Sequence, residues 1–368
     1  MTNSVKYAQK ITLKKHSKNT VFRKTTRPPT ACCTLPMYIG FVLTEPKSSN
    51  CSRLAEIMKT SHDSVNRFLL REAYEPKDLF DEAKPHINLI GGTLSVDDSV
   101  LDKPYSQKMD LVGHFWSGKH HRTVKGIDLI TLYYTDVAGQ HFPVSYRVYD
   151  KDDGKSKNDY FLDMLTEVLA WGLQPAFVTG DSWFSGVKNF KAVKNHGLSS
   201  MFALKSNRCV SIEKGKWIQV QKLEIPDEGL EVWLRGVGQV KLFRQRLKDE
   251  LRHYAVHLSD ATQLSIFDRN RFCYLHDNHW KIEQYHRVLK QVCNIEHFQV
   301  RTKIAILNHI FASICGYVHL QQLCALDVIA NCYRLQRDLF QDVITTFIHN
   351  FVVGKNHLQS QFLNAVNA

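Results

Sequence analysis

Apolar residues recur along this chain with two different periods. Towards the C-terminal third, Ile282, Tyr285, Val288, Leu289 and Val292 step by three and four, which lays them along one side of a helix. Glu283, Arg287 and Lys290 share the other side. The same period predicts mostly apolar helices over 304–325 and 334–353, with Ile304, Leu307, Ile310, Phe311, Ile314, Val318 and Leu323 as packing residues. Upstream, short β-prone runs mix with helical patterns. Leu94 to Ser99 reads as a strand, 127–135 and 141–149 as a hairpin around Gly139, 158–172 as a helix, 175–179 as a strand, 185–196 as a helix and 200–205 as a strand. That order predicts an α/β class. Residues 206–272 break it, because four strand-like runs at 217–220, 230–234, 239–243 and 254–258 are separated only by turn residues. Residues 48–72 pattern as two short helices, 52–58 and 64–71, with Asp63 as the expected cap of the second. Their spacing suits a helix-turn-helix, with Ser64, Asn66, Arg67 and Arg71 as outward candidates for DNA contact.

Composition narrows the class. The chain has 368 residues, 43% of them hydrophobic, so it is globular and long enough for two or three domains. Its formal charge of +12 favours a polyanionic partner such as nucleic acid. Lys6, Lys10, Lys14, Lys15, Lys18, Arg23, Lys24 and Arg27 precede the first acid, Glu45, which predicts a basic, unfolded extension over 1–36. Lys103 and the Lys119-His120-His121-Arg122 run predict a basic loop suited to phosphates, and Arg235, Lys241, Arg244, Arg246 and Lys248 make the β-rich segment basic too. There is neither an apolar run of 18 residues nor a secretory signal, which argues against a membrane protein. Nine cysteines without a C-x-x-C pair fit a reducing cytosol better than a disulfide scaffold or a zinc cluster.

The acids carry the chemistry. Asp97-Asp98-Ser99 and Asp181-Ser182 close β-prone runs, where carboxylates project into the ligand crevice of an α/β sheet. Each Asp read alone is equally a helix cap, and Glu283 with Arg287 is equally a surface i,i+4 pair. Together they make a D…D…E set, and three converging carboxylates need a cation between them. Oxygen ligands suit Mg²⁺ or Mn²⁺, and two such ions are a standard device for in-line displacement at phosphorus. Neighbours on a strand face opposite ways, so only one of Asp97 and Asp98 joins the set; periodicity leaves open which.

With Asp-Asp-Ser, Gly-Asp-Ser-Trp-Phe and Trp-Lys-Ile-Glu in place, residues 40–325 resemble the DDE transposases of bacterial insertion sequences. The similarity is to the subgroup with a Tyr-x2-Arg-x3-Glu-x6-Lys signature. Glu283 and Lys290 match it; His279 stands at the Arg position and His276 at the Tyr position, with Tyr274 two residues earlier. The resemblance implies an RNase H-like core, a mixed sheet flanked by helices, with Asp98 favoured as first ligand by the habit of Asp before Ser or Thr, and Asp97 as the alternative. Asp98, Asp181 and Glu283 would then hold two Mg²⁺ or Mn²⁺ ions, while Arg287 and Lys290 meet phosphates. It implies the division 1–36 extension, 37–85 helical DNA-binding region, 86–205 first part of the catalytic core, 206–272 β-rich insertion and 273–368 completion of the core with C-terminal helices. The insertion of this subgroup carries an aromatic residue that holds a flipped base; Trp217 and Trp233 are candidates here, and neither is assigned the role. The implied partners are double-stranded DNA, as terminal inverted repeats and target, and a second protomer in a DNA-end complex, in bacterial cytoplasm at the nucleoid.

Two rivals stand beside this reading: a catalytically inactive, transposase-derived DNA-binding protein, and a nuclease using the same core for hydrolysis. A zinc enzyme built on His276, His279 and His286 lacks the H-E-x-x-H spacing.

Overall fold

A computed structural model of the chain describes residues 32–45, 50–213, 215–247 and 250–366. The basic arm expected before residue 32, and Lys248, lie outside the described residues.

The sheet is built outward from β1 (Thr93–Asp102). On one side β1 pairs antiparallel with β3 (Arg122–Thr135). The far edge of β3 is shared by β2 (Gly113–Ser117) at its start and β4 (His141–Val148) at its end. On its other side β1 pairs parallel with β5 (Phe177–Gly180), which pairs parallel with β6 (Ser199–Leu204). The order β4-β3-β1-β5-β6, antiparallel through β1 and parallel beyond it, is the RNase H-like arrangement that the resemblance implied.

The β-rich segment does not form a sheet of its own. β7 (Cys209–Ser211), β8 (Ile218–Gln219), β9 (Leu230–Leu234), β10 (Gly238–Leu247) and β11 (Glu250–His257) join the same sheet, because β11 pairs antiparallel with β6 from His253↔Leu204 to His257↔Ser200. The result is one mixed sheet of 11 strands.

Helices cover both faces. α1 (Leu35–Thr44), α2 (Cys51–Met58), α3 (His62–Arg71) and α4 (Pro76–Ala83) precede the sheet. α5 (Lys157–Ala170) and α6 (Val187–Asn195) pack on the face that carries Leu94, Val96, Ile130 and Leu132. α7 (Arg269–Gln291) and α8 (Lys303–Ala325) pack on the opposite face against Leu129 and Tyr133, through Ile282, Tyr285, Ile310 and Ile314. α9 (Arg334–Val366) follows. α8 is long and apolar enough to cross a membrane, but 78% of its most apolar window is buried, which makes it a core helix. Val65, Phe68 and Leu69 of α3 pack with Ala305 and Ala312 of α8, so the N-terminal helices rest on the back of the core.

Two helix starts bear on the reading of the sequence. α7 opens at Arg269, capped by Asp268, whose carboxylate accepts the Arg271 amide at 2.8 Å. The expected boundary at 272 therefore falls inside a helix. α3 is capped by Ser61 rather than Asp63, because Ser61 has extended dihedrals and its hydroxyl accepts the Ser64 amide at 3.1 Å. Ser64, expected to face outward, is buried, and its hydroxyl accepts the amides of Cys32 (2.6 Å) and Cys33 (3.2 Å).

Candidate active site

β1 runs on to Asp102, so Asp97 and Asp98 stand in mid-strand rather than at its end. Packing settles which way each points. Thr93 and Ser95 face α7: Asn278 donates to the Thr93 hydroxyl at 3.3 Å, and Ser95 bonds Thr179, which meets His279 Nδ1 at 3.2 Å. Asp97 continues that row. Leu94 and Val96 face α5, and Asp98 continues theirs.

Asp181 comes to Asp97 through the register of β1 and β5. Val96 is opposite Gly180, so the next residues along the two parallel strands are Asp97 and Asp181. Gly180 permits the close approach: a Cβ there would lie 2.9 Å from the side chains of both Phe202 and Val96. The chain then turns, with Asp181 Oδ1 accepting the amides of Trp183 (2.8 Å) and Phe184 (3.4 Å). Glu283 and His286 are three apart on α7 and therefore share a face. One ligand atom each from Asp97, Glu283 and His286 lie within 4.8 Å of one another. His286 Nδ1 is 3.6 Å from Asp97 Oδ2.

The electrostatics are those of crowded acids. Burial, then the charges of Glu283, Asp181 and Asp98, push the Asp97 carboxyl well above its ordinary range. Burial and the Asp98 and Glu283 charges raise Asp181 to about 6, against the pull of the two amides. Burial raises Glu283 as well, while Arg252 and Arg287 draw it back. His286 is pushed down to about 3, by burial first and then by Lys290 and His279, so its imidazole is neutral with a free lone pair. These donors fit a hard divalent cation: the carboxylates lack sufficient countercharge, and oxygen donors dominate the set.

Asp98, the ligand favoured from sequence, sits on the other face of β1. Lys157 Nζ lies 2.8 Å from Asp98 Oδ2 and 2.5 Å from Asp128 Oδ2. Burial works against the Lys157 charge, but the two carboxylates raise its pKa. Burial and the neighbouring Asp98 charge lift Asp128 to about 7. Asp128, Lys157 and His286 were not singled out as partners of the acids. The only signal for His286 was its i,i+3 spacing from Glu283, and for the other two there was none.

The remaining candidates are dispersed. Lys290 lies beside the acids, but its ammonium donates to the Val100 carbonyl at 2.6 Å and is 3.2 Å from Glu296. Arg287 is exposed one turn beyond Glu283. Arg67 and Arg71 are exposed on α3, away from the acid cluster. Of the three histidines weighed together, His279 bonds Thr179 and His276 packs against the rings of Tyr254 and Phe272; only His286 joins the acids. Lys103, expected in a solvated loop, is buried and donates to the carbonyls of Glu296 (2.5 Å) and Phe298 (3.0 Å). Trp217 and Trp233 flank a shallow pocket of about 310 Å³ at the far, β8–β9 end of the sheet.

Residues 93–318 match the family model of the transposase DDE domain. The chain belongs to this transposase family. The match begins at the first residue of β1 and ends within α8, so it takes in every acid of the cluster. Among solved structures, this transposase is similar to a piggyBac transposase in a synaptic complex with hairpin DNA, at 12% identity and a TM-score of 0.49, over 94% of this chain and 77% of that one. It is also similar to the Drosophila P element transposase in a strand transfer complex, at 10% identity and a TM-score of 0.27, over 58% of this chain and 53% of that one. No curated protein matches the chain.

Proposed function

We propose that this transposase cuts and joins DNA at the terminal inverted repeats of a bacterial insertion sequence, using two Mg²⁺ or Mn²⁺ ions held by Asp97, Asp181 and Glu283. The observation that carries the reading is the convergence of Asp97, Glu283 and His286 within 4.8 Å, with Asp181 next to Asp97 across the β1–β5 pair. Bound divalent ions supply activation of water, and later of a 3′-hydroxyl, for in-line attack, together with charge neutralisation on the leaving oxygen.

The chain's own residues do the rest. Asp97 and Asp181 are fixed by the sheet, and Glu283 by α7, so positioning and charge are preset before DNA arrives. His286 borders the set as a neutral donor. Asp98 takes no ligand role in this proposal; its charge is held by Lys157. Arg287 contacts phosphate beside the scissile bond. Lys290 does so only by giving up the Val100 carbonyl, and otherwise ties α7 to β1. The helical unit over 37–85 grips the repeat through Arg67 and Arg71, and two protomers bring two ends together in the bacterial cytoplasm.

The test is cleavage of duplexes taken from the DNA that flanks the coding sequence, with Mg²⁺, with Ca²⁺, and with Glu283→Gln. Nicking that needs Mg²⁺ and disappears in the variant supports the reading. Salt-sensitive binding without cutting in any condition turns the assignment to an inactive DNA-binding relative.

A further inference from the structure

The signature around the third acid has an arginine four residues before it, and in this chain that position is His279. His279 is turned inward to Thr179, so α7 brings no cation to that place. The neighbouring strand does. On β11 Tyr254 and Val256 share one face, and with Leu258 just past the strand they pack in one cluster with Phe272 and Leu275 of α7 and with Phe267 just before it. The Tyr254 ring meets Phe272 at 5.4 Å and His276 at 5.4 Å. Two residues along a strand advance about 6.6 Å, and four along a helix about 6 Å. The strand and the helix therefore stay in step, and the next residue on this face of β11, Arg252, falls beside 279–280. A long side chain starting there reaches the turn that carries Glu283. Arg252 lies close enough for its charge to act on Glu283, His276 and His279. Its ion pair with Glu250, at 3.3 Å, is between exposed side chains and is readily given up.

We infer that Arg252 is a phosphate-contacting residue of the cutting site, delivered from β11 to the place that His279 leaves without a cation. The inference rests on the proposed function. A guanidinium suits this position because its fork can hold two phosphate oxygens at once, next to where charge gathers as the bond breaks. It also gives the β-rich segment a part in the chemistry: the hairpin of β10 and β11 supplies the arginine, while α7 supplies the acid.

The experiment compares the full chain with Arg252→Met, Arg252→Lys and Glu283→Gln on the flanking-DNA duplexes. With Mg²⁺, Arg252→Met is expected to lower the cleavage rate at saturating DNA by about 100-fold with little change in melting temperature, and Arg252→Lys to recover part of it. With Ca²⁺, binding of the same duplexes is followed against salt, and the slope of Arg252→Met is expected to be lower by about one counterion. Cleavage by Arg252→Met at the wild-type rate overturns the inference, as does equal loss in the Met and Lys variants with a lowered melting temperature. If the wild-type chain cuts no duplex, the proposed function fails, and the Ca²⁺ slope still decides on Arg252: an unchanged slope overturns its contact with phosphate.

Discussion

His286 Nδ1 lies 3.6 Å from Asp97 Oδ2, while its Nε2 is buried and meets no hydrogen-bond partner among the described residues. A neutral ring that close to a carboxylate of the cluster is placed to ligate an ion held there or to tune it. His286→Ala is therefore expected to weaken Mn²⁺ binding ten- to a hundredfold. The measurement is the Mn²⁺ concentration that half-raises the melting temperature. A midpoint that does not move would make His286 a packing residue.

Lys157 is the shared counterion of Asp98 and the fully buried Asp128. Lys157→Met leaves the buried Asp128 and the half-buried Asp98 facing each other and is expected to destabilise the fold by about 3–5 kcal/mol. Adding Asp128→Asn to the variant should return a large part of that loss. Chemical denaturation of the single and double variants checks both halves, and additive effects would show that the triad is not coupled.

Asp181 has a folded pKa of about 6, above its unfolded value. The folded state therefore holds the proton more tightly, and the wild-type protein without metal loses stability as pH rises from about 4 through 6. Asp181→Asn removes that loss while keeping an oxygen for the Trp183 and Phe184 amides. In EDTA at pH 8 the variant is expected to be more stable than wild type by on the order of 2 kcal/mol, with the difference shrinking as pH falls below 6. Comparing the two proteins cancels the opposite trend of His286 and His309, whose folded values of about 3 withdraw stability as pH falls below 6.5. A difference that is constant with pH would place the origin outside the Asp181 charge.

Tyr38 on α1 bonds His309 on α8 at 2.8 Å, both side chains fully enclosed. Tyr38→Phe keeps the ring and removes the bond, leaving His309 Nδ1 unpaired. The expected loss is about 1–2 kcal/mol, read by denaturation, with the Mn²⁺ midpoint unchanged. A shifted midpoint would mean that the N-terminal helices influence the acid cluster.

The sequence showed α7 by its apolar stripe from Ile282 to Val292, and with it Glu283, because that helix buries one side and leaves the other polar. Its first ten residues were illegible: Arg269-Asn270-Arg271 opens the helix with polar side chains that look like a loop. The choice between Asp97 and Asp98 was illegible for a different reason. Thr93 and Ser95 alternate with Leu94 and Val96, but β1 is covered on both faces, so a polar row there reads as satisfied core rather than as the face of a site. Lys103 misled because the carbonyls that hold it belong to Glu296 and Phe298, far along the chain. The pairing of β11 with β6 is equally non-local, so the β-rich segment could be seen as strands but not as a continuation of the core sheet.

That pairing has a consequence for how the molecule can change. Because β11 covers the outer side of β6, a chain trimmed of 206–257 would leave β6 with a row of bare amides and carbonyls along an apolar strand. Such an open border is a template for pairing with another molecule, and the shortened protein would precipitate rather than persist as a smaller enzyme. The β-rich segment and the acid cluster thus stand on one continuous sheet, and the segment closes a border that the core does not close alone.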